Sequence, residues 1–541
     1  MKKLISLFLI LVMLSAPLCM TSAAANSGTV YYVDAFGGND LNSGTSEGAA
    51  WKTLSRASEV TYAPGDKLLL KAGSIFNECF TAMGGGTAEA PVIFGSYGDI
   101  SALGKPIIRC DENDAVLITL HNVCGWTVEN IEFTAPNGNG IYITSDFHGV
   151  TSSITVKNCV FHDISNKQYT NHNGGHCPIL IKSTGQYARI RNICIRDCNI
   201  YNCAFGIKTG GLNREMNPDH FVSPEASYNT HFLFERLSLN NILYDGIIIC
   251  AVHDLAIRDC SLINTSIRND FYTAPMWSHH ACHYVIENCE IAGATNEKDG
   301  MAIDFDGWTT DATCQYIYSH DNVRFINNCC YDNYTKNRNC TVRYCLSVND
   351  NKAKNRMANI MSVAAVDYAK DEYAKSMDSF KFYNNTLINC SEIDCDGLSN
   401  SVIANNIFVG KSILDAVKSA DLRSNANGSG KSLFTFNGKF TNNCFWNITM
   451  GCVTKNPYIF DPKFVGTDTG DKNSYMLSSR SMLLKKGVQV EADMGDHDFY
   501  GNALTGTHNI GCYDGAGIGA PKTSFIQELC DRLNSIFKIG R

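Results

Sequence analysis

Ile286-Glu287-Asn288-Cys289 is one copy of a phrase that recurs through the middle of the chain, between about residues 120 and 450. Each copy has an apolar residue, a variable residue, Asn or Asp and often Cys, followed by another apolar residue. Other copies are Val128-Glu129-Asn130-Ile131, Val156-Lys157-Asn158-Cys159, Ile195-Arg196-Asp197-Cys198 and Ile257-Arg258-Asp259-Cys260, with later copies centred on Asn327, Asn384, Asn405 and Asn442. Such recurrence predicts a repeat architecture.

The Asn or Asp of the phrase predicts a corner between two strands. Val128 and Asn130 share one side of an extended segment, but Ile131 and Phe133 are the apolar residues that follow. The inward phase therefore slips by one residue, which requires a bend. Asn and Asp tolerate the left-handed backbone region better than other non-glycine residues, so they suit a one-residue corner. The Cys after each corner is then expected to point inward.

The spacing of the corners predicts a right-handed parallel β-helix. Corners lie mostly about 20 to 40 residues apart, which fits one coil each with loops of variable length. A second phrase supplies another strand of several coils, as in Gly140-Ile141-Tyr142-Ile143, Gly206-Ile207-Lys208, Gly246-Ile247-Ile248-Ile249 and Gly300-Met301-Ala302-Ile303. One coil cannot bury its apolar side, so only the stack is stable. A sandwich of hairpins is the alternative, and Asn-Gly or Asp-Gly turns are too sparse to favour it.

Several motifs lie near the two ends of the chain: Tyr31-Tyr32-Val33-Asp34, Trp51-Lys52-Thr53-Leu54, the run from Pro64 to Gly73, Asp461-Pro462-Lys463-Phe464 and Asn509-Ile510-Gly511-Cys512-Tyr513. They give the chain a resemblance to secreted β-helix proteins of the pectate-lyase-like superfamily, which covers nearly the whole mature sequence. It implies a β-helix, an extracellular location and a carbohydrate ligand in a groove along one outer sheet. It does not specify an activity, because one fold hosts many functions.

The N-terminus predicts a bacterial export signal. Lys2 and Lys3 precede an apolar run, and Ala25 ends a small-residue cleavage site. We expect a secreted, extracellular monomer without a membrane-inserted segment. The predicted division is a signal peptide at 1–25, an N-terminal cap with the first coils at 26–110, including a helix near 51–60, the β-helix at 111–450, a closing segment at 451–520 and an amphipathic capping helix at 521–541.

Charge and cysteine content limit the possible partners. A net charge of −8 argues against nucleic acid, because phosphate binding needs a basic surface. The 24 cysteines suggest disulfides in an exported chain. Many of them follow corners, however, where a thiol serves as a small buried hydrophobe. We therefore expect mostly core cysteines, with a few disulfides as the alternative.

A pair of carboxylates provides the candidate catalytic residues. In the run from Met301 to Phe305, Met301, Ile303 and Phe305 are expected to point inward, which leaves Asp304 and Asp306 on the outer face. Two such carboxylates suit glycoside hydrolysis, one as general acid and the other as nucleophile or base. The sequence therefore predicts a glycoside hydrolase acting on a polysaccharide.

Residues one coil earlier provide further candidates. His279 and His280 fall near the strand that would lie beside Asp304, where a carboxylate would raise the pKa of a histidine and prepare it for proton transfer. The indoles of Trp277 and Trp308 could stack on sugar rings.

Other interpretations stay open at this point. Asp299, Asp304 and Asp306 are oxygen donors that could bind calcium. A polysaccharide lyase would need a cation, for which Lys208 and Arg214 are candidates, but Lys208 lies about three coils from Asp304 and fits a substrate contact better. A third possibility is a glycan-binding surface protein without activity. No phosphate-binding loop or dinucleotide fingerprint is present, so no organic cofactor is implied.

Overall fold

A computed structural model of the chain describes residues 28–165, 176–185, 187–211, 229–330, 337–352, 361–365, 377–390, 398–410, 437–448 and 454–519. The predicted signal peptide, the predicted C-terminal helix and Arg214 lie outside these residues.

Each coil contributes strands to three faces. The first face consists of Phe80–Thr81, Val116–His121, Asn139–Ser145, Ile179–Ser183, Ile207–Gly211, the first half of Ile247–Arg258, the first half of Met276–Glu287, Met301–Phe305, Arg324–Cys330 and Met361–Ala365. The second face consists of Val30–Val33, Lys67–Lys71, Val92–Tyr97, Cys124–Glu129, Val150–Lys157, Arg189–Arg196, Asn229–Glu235, the second halves of the two long strands, Thr310–Gln315, Asn337–Arg338, Thr341–Arg343, Met377–Asp378, Lys381–Tyr383, Leu398–Ala404 and Asn437–Thr441.

The third face forms a sheet of its own. It consists of Ile75–Phe76, Ile107–Arg109, Glu132–Thr134, Val160–His162, Asn199–Cys203, Ser238–Ile242, Ser261–Thr265, Glu290–Ala292, Tyr318–His320, Leu346–Val348, Thr386–Cys390, Ile407–Gly410 and Cys444–Trp446. The ladders on all three faces are parallel. Parallel stacking confirms the predicted β-helix and excludes the hairpin sandwich, whose strands would pair antiparallel.

The predicted corners are confirmed at most positions. Asn130, Asn158, Asp197, Asp259 and Asn288 have φ between 53° and 60°, and Asn384, Asn405 and Asn442 are also left-handed. Left-handed Asn and Asp turn the chain between the second and third faces.

One predicted corner is wrong. Asn327 lies inside the strand Arg324–Cys330 on the first face. The corners in this part of the chain are instead Tyr316 and Tyr344, with φ of 58° and 50°. The phrase around Asn327 matches the corner pattern by residue type, but its place in the coil differs.

The residue after each corner points inward, as predicted. Cys159, Cys198, Cys260 and Cys289 are buried in one continuous core. The cysteines of the described residues are free thiols, so the predicted disulfides find no pair there. In the last coils the same position carries Asn instead, with Asn385, Asn406 and Asn443 joined in a buried hydrogen-bonded ladder.

The helices are short. They span Glu47–Ala49, Leu54–Ala57, Ile100–Leu103 and Lys472–Tyr475. The helix predicted near 51–60 is thus a single turn, capped by the Thr53 hydroxyl, which accepts a hydrogen bond from the Arg56 amide. Within the described residues, no helix is long and apolar enough to cross a bilayer.

Residues 454–519 run along the corners of the last coils. The Asn384 side chain donates to the Asn509 carbonyl at 2.9 Å, and Glu491 pairs with Lys381 at 2.9 Å. Met494 packs against Tyr316 and Tyr344. These contacts cover the tyrosine corners with chain that follows the last coil.

Candidate active site

The parallel register lines up one outward row across the first face. Lys208 pairs with Ile248, Ile248 with Trp277, Trp277 with Asp304, and Asp304 with Asn327. Adjacent strands lie roughly 4.8 Å apart, so Lys208 is about 15 Å from Asp304 at the backbone. The predicted separation of three coils is confirmed, and Lys208 cannot share a catalytic centre with Asp304.

Asp304 projects from the first face but is not solvated. Ile303 and Phe305 belong to the interior core, as predicted, yet the Asp304 residue is only 6% exposed. Its carboxylate accepts a hydrogen bond from the Asn327 side chain, while Oδ1 has no hydrogen-bond partner among the described residues. Burial, reinforced by the nearby negative charges of Asp306 and Asp299, raises the pKa of Asp304 well above its ordinary value.

Asp306 follows the same strand and is equally enclosed. Its backbone amide donates to the Ser278 carbonyl at 2.9 Å, and the residue is 4% exposed. Because Ser278 pairs with Phe305, the register continues with His279 beside Asp306. The pair of carboxylates predicted on the outer face is therefore present, and both residues are enclosed by their neighbours.

The predicted role of the histidines is not supported by the register. Trp277, rather than a histidine, is the neighbour of Asp304. His280 has a left-handed backbone, and its Nδ1 lies against Nδ1 of His279. Burial, together with the neighbouring His279, lowers the pKa of His280 to about 3, opposite to the predicted direction. A neutral His280 can position groups in the site but is a weak proton acceptor at neutral pH.

The two tryptophans differ in exposure. Trp277 is half-buried beside Asp304 and remains a candidate sugar platform. Trp308 is buried, and its ring lies 6.3 Å from that of His280. A sugar could therefore stack on Trp277, whereas Trp308 forms part of the wall behind the histidines.

Lys208 is buried, although it lies in the outward row of the first face. Its Nζ lies 4.0 Å from the centroid of the Phe205 ring. Burial lowers the pKa of the Lys208 amine, and the nearby Lys182 acts in the same direction.

Arg324 is a site residue that the sequence analysis missed. Its Nη1 donates to the Asp299 carbonyl at 3.1 Å, and its positive charge acts on Asp304. The strand containing Arg324 pairs directly with Met301–Phe305, which only the register of the coils reveals. No local motif marks this arginine.

A network of polar side chains supports the carboxylates from inside the coil. The Ser278 hydroxyl contacts the Thr309 hydroxyl at 2.9 Å and accepts from the Tyr284 hydroxyl at 2.8 Å. The Asn337 side chain accepts from the Thr309 amide and donates to the Phe305 carbonyl. These bonds fix the strand end from which Asp306 emerges.

The calcium interpretation gains no geometric support. In the described part of the chain, no group of three or more His, Cys, Asp or Glu side chains is arranged to hold a metal ion, and Asp299, Asp304 and Asp306 all lie in that part. Calcium binding stays a prediction. Two surface grooves of about 600 and 590 Å³ lie elsewhere, near Gly85 and His283, and neither includes the carboxylates.

The chemistry available at this site is acid–base or nucleophilic catalysis by two carboxyl groups. A carboxyl group with a raised pKa keeps its proton near neutral pH and can donate it, while a second one nearby can act as nucleophile or base. Residues alternating on a strand lie about 6.5–7 Å apart at the backbone, which is compatible with either geometry of glycoside hydrolysis.

Comparisons with known proteins identify relatives among glycosidases. No protein-family model matches the chain. Over 261 residues, or 34% of this chain, the sequence is 27% identical to a lacto-N-biosidase from Bifidobacterium longum subsp. longum. The matched region spans 16% of the length of that relative.

Among solved structures, the chain is similar to two crystal structures of GH136 lacto-N-biosidase from Eubacterium ramulus. The selenomethionine form gives a TM-score of 0.56 at 21% identity, covering 69% of this chain and 67% of that one. The native form gives 0.52 at 21% identity, covering 66% and 64%. At this level of identity the likeness shows a shared fold.

Proposed function

We propose that the protein is a secreted glycoside hydrolase acting on a polysaccharide or oligosaccharide. The observation that carries the proposal is the pair of buried carboxyl groups, Asp304 and Asp306, beside Trp277 on the first face. Asp304 would be the general acid, because burial and the neighbouring Asp306 and Asp299 raise its pKa and so favour its protonated form. Asp306 would be the nucleophile or base. Trp277 would hold the sugar.

The reaction needs only these groups and water. Asp304 would protonate the glycosidic oxygen as the bond to the sugar carbon breaks, and Asp306 would either attack that carbon or activate a water molecule. No organic cofactor is required in this scheme, and calcium would serve structure or substrate binding.

The similarity to lacto-N-biosidases supports a glycosidase over a polysaccharide lyase or a glycan-binding protein without activity. It also suggests a first substrate for testing, a chromogenic lacto-N-bioside. A lyase would need an ionised base beside a uronate, and the burial that raises the pKa of Asp304 disfavours the ionised form.

The test is an assay of the purified protein, with and without chelator, on the chromogenic lacto-N-bioside and a polysaccharide panel. New reducing ends without unsaturated uronate absorbance are expected, with a loss of roughly 10²–10⁴-fold in kcat for Asp304→Asn and Asp306→Asn. Asp311→Asn is the matched control, because this aspartate is a partly exposed residue with a left-handed backbone in the second-face strand Thr310–Gln315. Unsaturated products would establish a lyase. Glycan binding without turnover would establish a binding protein.

Export and oligomeric state belong to the same proposal. Expression of the full chain in a bacterial host is expected to give a secreted protein beginning after Ala25, as N-terminal sequencing would show. Light scattering is expected to give the mass of a monomer.

A further inference from the structure

Asn327 occupies an unusual position for an asparagine in this fold. It lies within a first-face strand, in the row that carries Ile248, Trp277 and Asp304 on the preceding strands. The other asparagines of the repeated phrase turn corners with a left-handed backbone, and Asn327 does not. Turning a corner therefore does not account for the asparagine at position 327.

The fold itself does not demand a polar residue at this position. Ile248 and Trp277 fill the same row, and a buried strand on a β-helix face accepts apolar side chains readily. Asn327 is 7% exposed, so its amide has lost most of its contact with water. Burying an amide costs free energy unless hydrogen bonds offset it, and the Asp304 carboxylate supplies one.

We propose that Asn327 is the positioning residue of Asp304, which orients the carboxyl group by a side-chain hydrogen bond and leaves Oδ1 for the substrate. This inference rests on the proposed hydrolase function. The Asn327 side-chain amide donates to the Asp304 carboxylate and so limits rotation of that carboxylate about the Cβ–Cγ bond of Asp304. Oδ1, which has no partner among the described residues, then carries the transferable proton.

The hydrogen bond from Asn327 also opposes the rise in the pKa of Asp304. Burial, Asp306 and Asp299 favour the neutral acid, whereas the Asn327 amide and then Arg324 favour the ionised form. Tyr284 also faces Asp304 from the preceding coil. Among these groups Asn327 is the uncharged donor in direct contact, so it adjusts proton affinity without adding a charge.

The test uses Asn327→Leu, which keeps size but removes the donor, and Asn327→Ser, which retains a smaller donor. Asn339→Ala is the matched control, because Asn339 has a left-handed backbone between two second-face strands and donates to Asp311 there. The kcat/KM for the chromogenic lacto-N-bioside, or for the substrate found in the panel, is measured against pH. Difference infrared spectroscopy follows the protonated carboxyl band, assigned by its loss in Asp304→Asn.

For Asn327→Leu we expect kcat to fall by about 10-fold or more, as for loss of one oriented donor, and the alkaline limb to move to higher pH. Asn327→Ser, which keeps a smaller donor, should show a smaller fall in kcat and a smaller shift of the alkaline limb. An unchanged alkaline limb and an unchanged infrared titration would overturn the inference, even if stability fell. If Asp304→Asn keeps full activity, the hydrolase proposal fails instead, whereas the infrared titration still reports whether Asn327 controls the Asp304 proton.

Discussion

Trp277 and Asp304 are register partners on adjacent strands of the first face, so an indole and a carboxyl group with a raised pKa occupy neighbouring outward positions. A sugar whose glycosidic oxygen reaches Asp304 would place a ring over Trp277, since strands roughly 4.8 Å apart match the scale of a sugar unit.

Trp277→Ala is therefore expected to lower kcat/KM by about 10- to 100-fold, because a large apolar contact with the substrate is lost. Trp277→Phe should retain part of this activity. Trp446→Ala is the control, since Trp446 is a half-buried tryptophan on the third face. Steady-state kinetics on the substrate identified in the panel would check the prediction. Equal activity of Trp277→Ala and the wild type would contradict the assigned sugar platform.

The raised pKa of Asp304 also predicts a cost in stability. A carboxyl group whose pKa is higher in the folded state makes its full contribution to stability below its unfolded pKa, and this contribution is lost as pH rises from there through the folded pKa. At pH 7, Asp304→Asn is thus expected to raise the free energy of unfolding by about 1–2 kcal/mol relative to the wild type. Its unfolding temperature should rise accordingly.

Calorimetry at pH 7 and near pH 4 would check the sign, because the difference should shrink at the lower pH. Asp311→Asn, at a partly exposed position of a second-face strand, serves as the control. A less stable Asp304→Asn at pH 7 would show that Asp304 contributes to the fold rather than to the reaction.

The β-helix could be predicted from the sequence because each corner is determined by a few neighbouring residues. A left-handed Asn or Asp and a phase change of one residue appear within a few positions, as at Asn158 and Asp259. Tyr316 and Tyr344 also turn corners, although tyrosine has no local preference for this backbone region. Their corners are covered by Met494, which lies some 150 residues later in the chain and leaves no local pattern.

The candidate site was predictable in part for the same reason. Alternation along one strand was enough to pair Asp304 with Asp306. The neighbours Asn327, Arg324 and Trp277 depend on the register between coils, which is set by loops of unequal length. The burial of Asp304 and the low pKa of His280 likewise follow from neighbouring coils, so the sequence could not provide them.

A buried aspartate far from the proposed site predicts a pH-dependent stability. Asp350 accepts from the Ser319 and Ser347 hydroxyls, both at 2.6 Å, and from the Asn322 amide at 2.9 Å. Burial nevertheless raises the pKa of Asp350 to about 6. Its stabilising contribution is complete below its unfolded pKa and is lost as pH rises through about 6.

Wild-type stability should therefore fall by about 2 kcal/mol between pH 4.5 and 7.5 from this group, and Asp350→Asn should flatten the dependence. Chemical denaturation at both pH values would measure it. Asp321→Asn is the control for removal of an aspartate, because bonds from His320 and Lys352 lower the pKa of Asp321 despite its partial burial, so its own titration lies below this pH window. The same slope in Asp350→Asn as in the wild type would disprove the assignment.

The asparagine ladder of the last coils predicts a sharp contrast between two residues at equivalent positions. Asn406 Oδ1 accepts from the backbone amide and the side chain of Asn385, and its Nδ2 donates to the Phe382 carbonyl at 2.8 Å. Asn406→Ala would leave two buried donors without an acceptor, so we expect a loss of about 2–5 kcal/mol.

Cys198→Ala, which removes one sulfur from the same position of an earlier coil, should cost less, about 1–2 kcal/mol, because it creates only a small cavity. Equilibrium unfolding of the two variants, with the transition followed by circular dichroism and by tryptophan fluorescence, would compare them directly. Equal losses would mean that the ladder contributes only packing. A larger loss for Asn406→Ala would show that hydrogen bonds between stacked asparagine side chains take the place of apolar packing in the last coils.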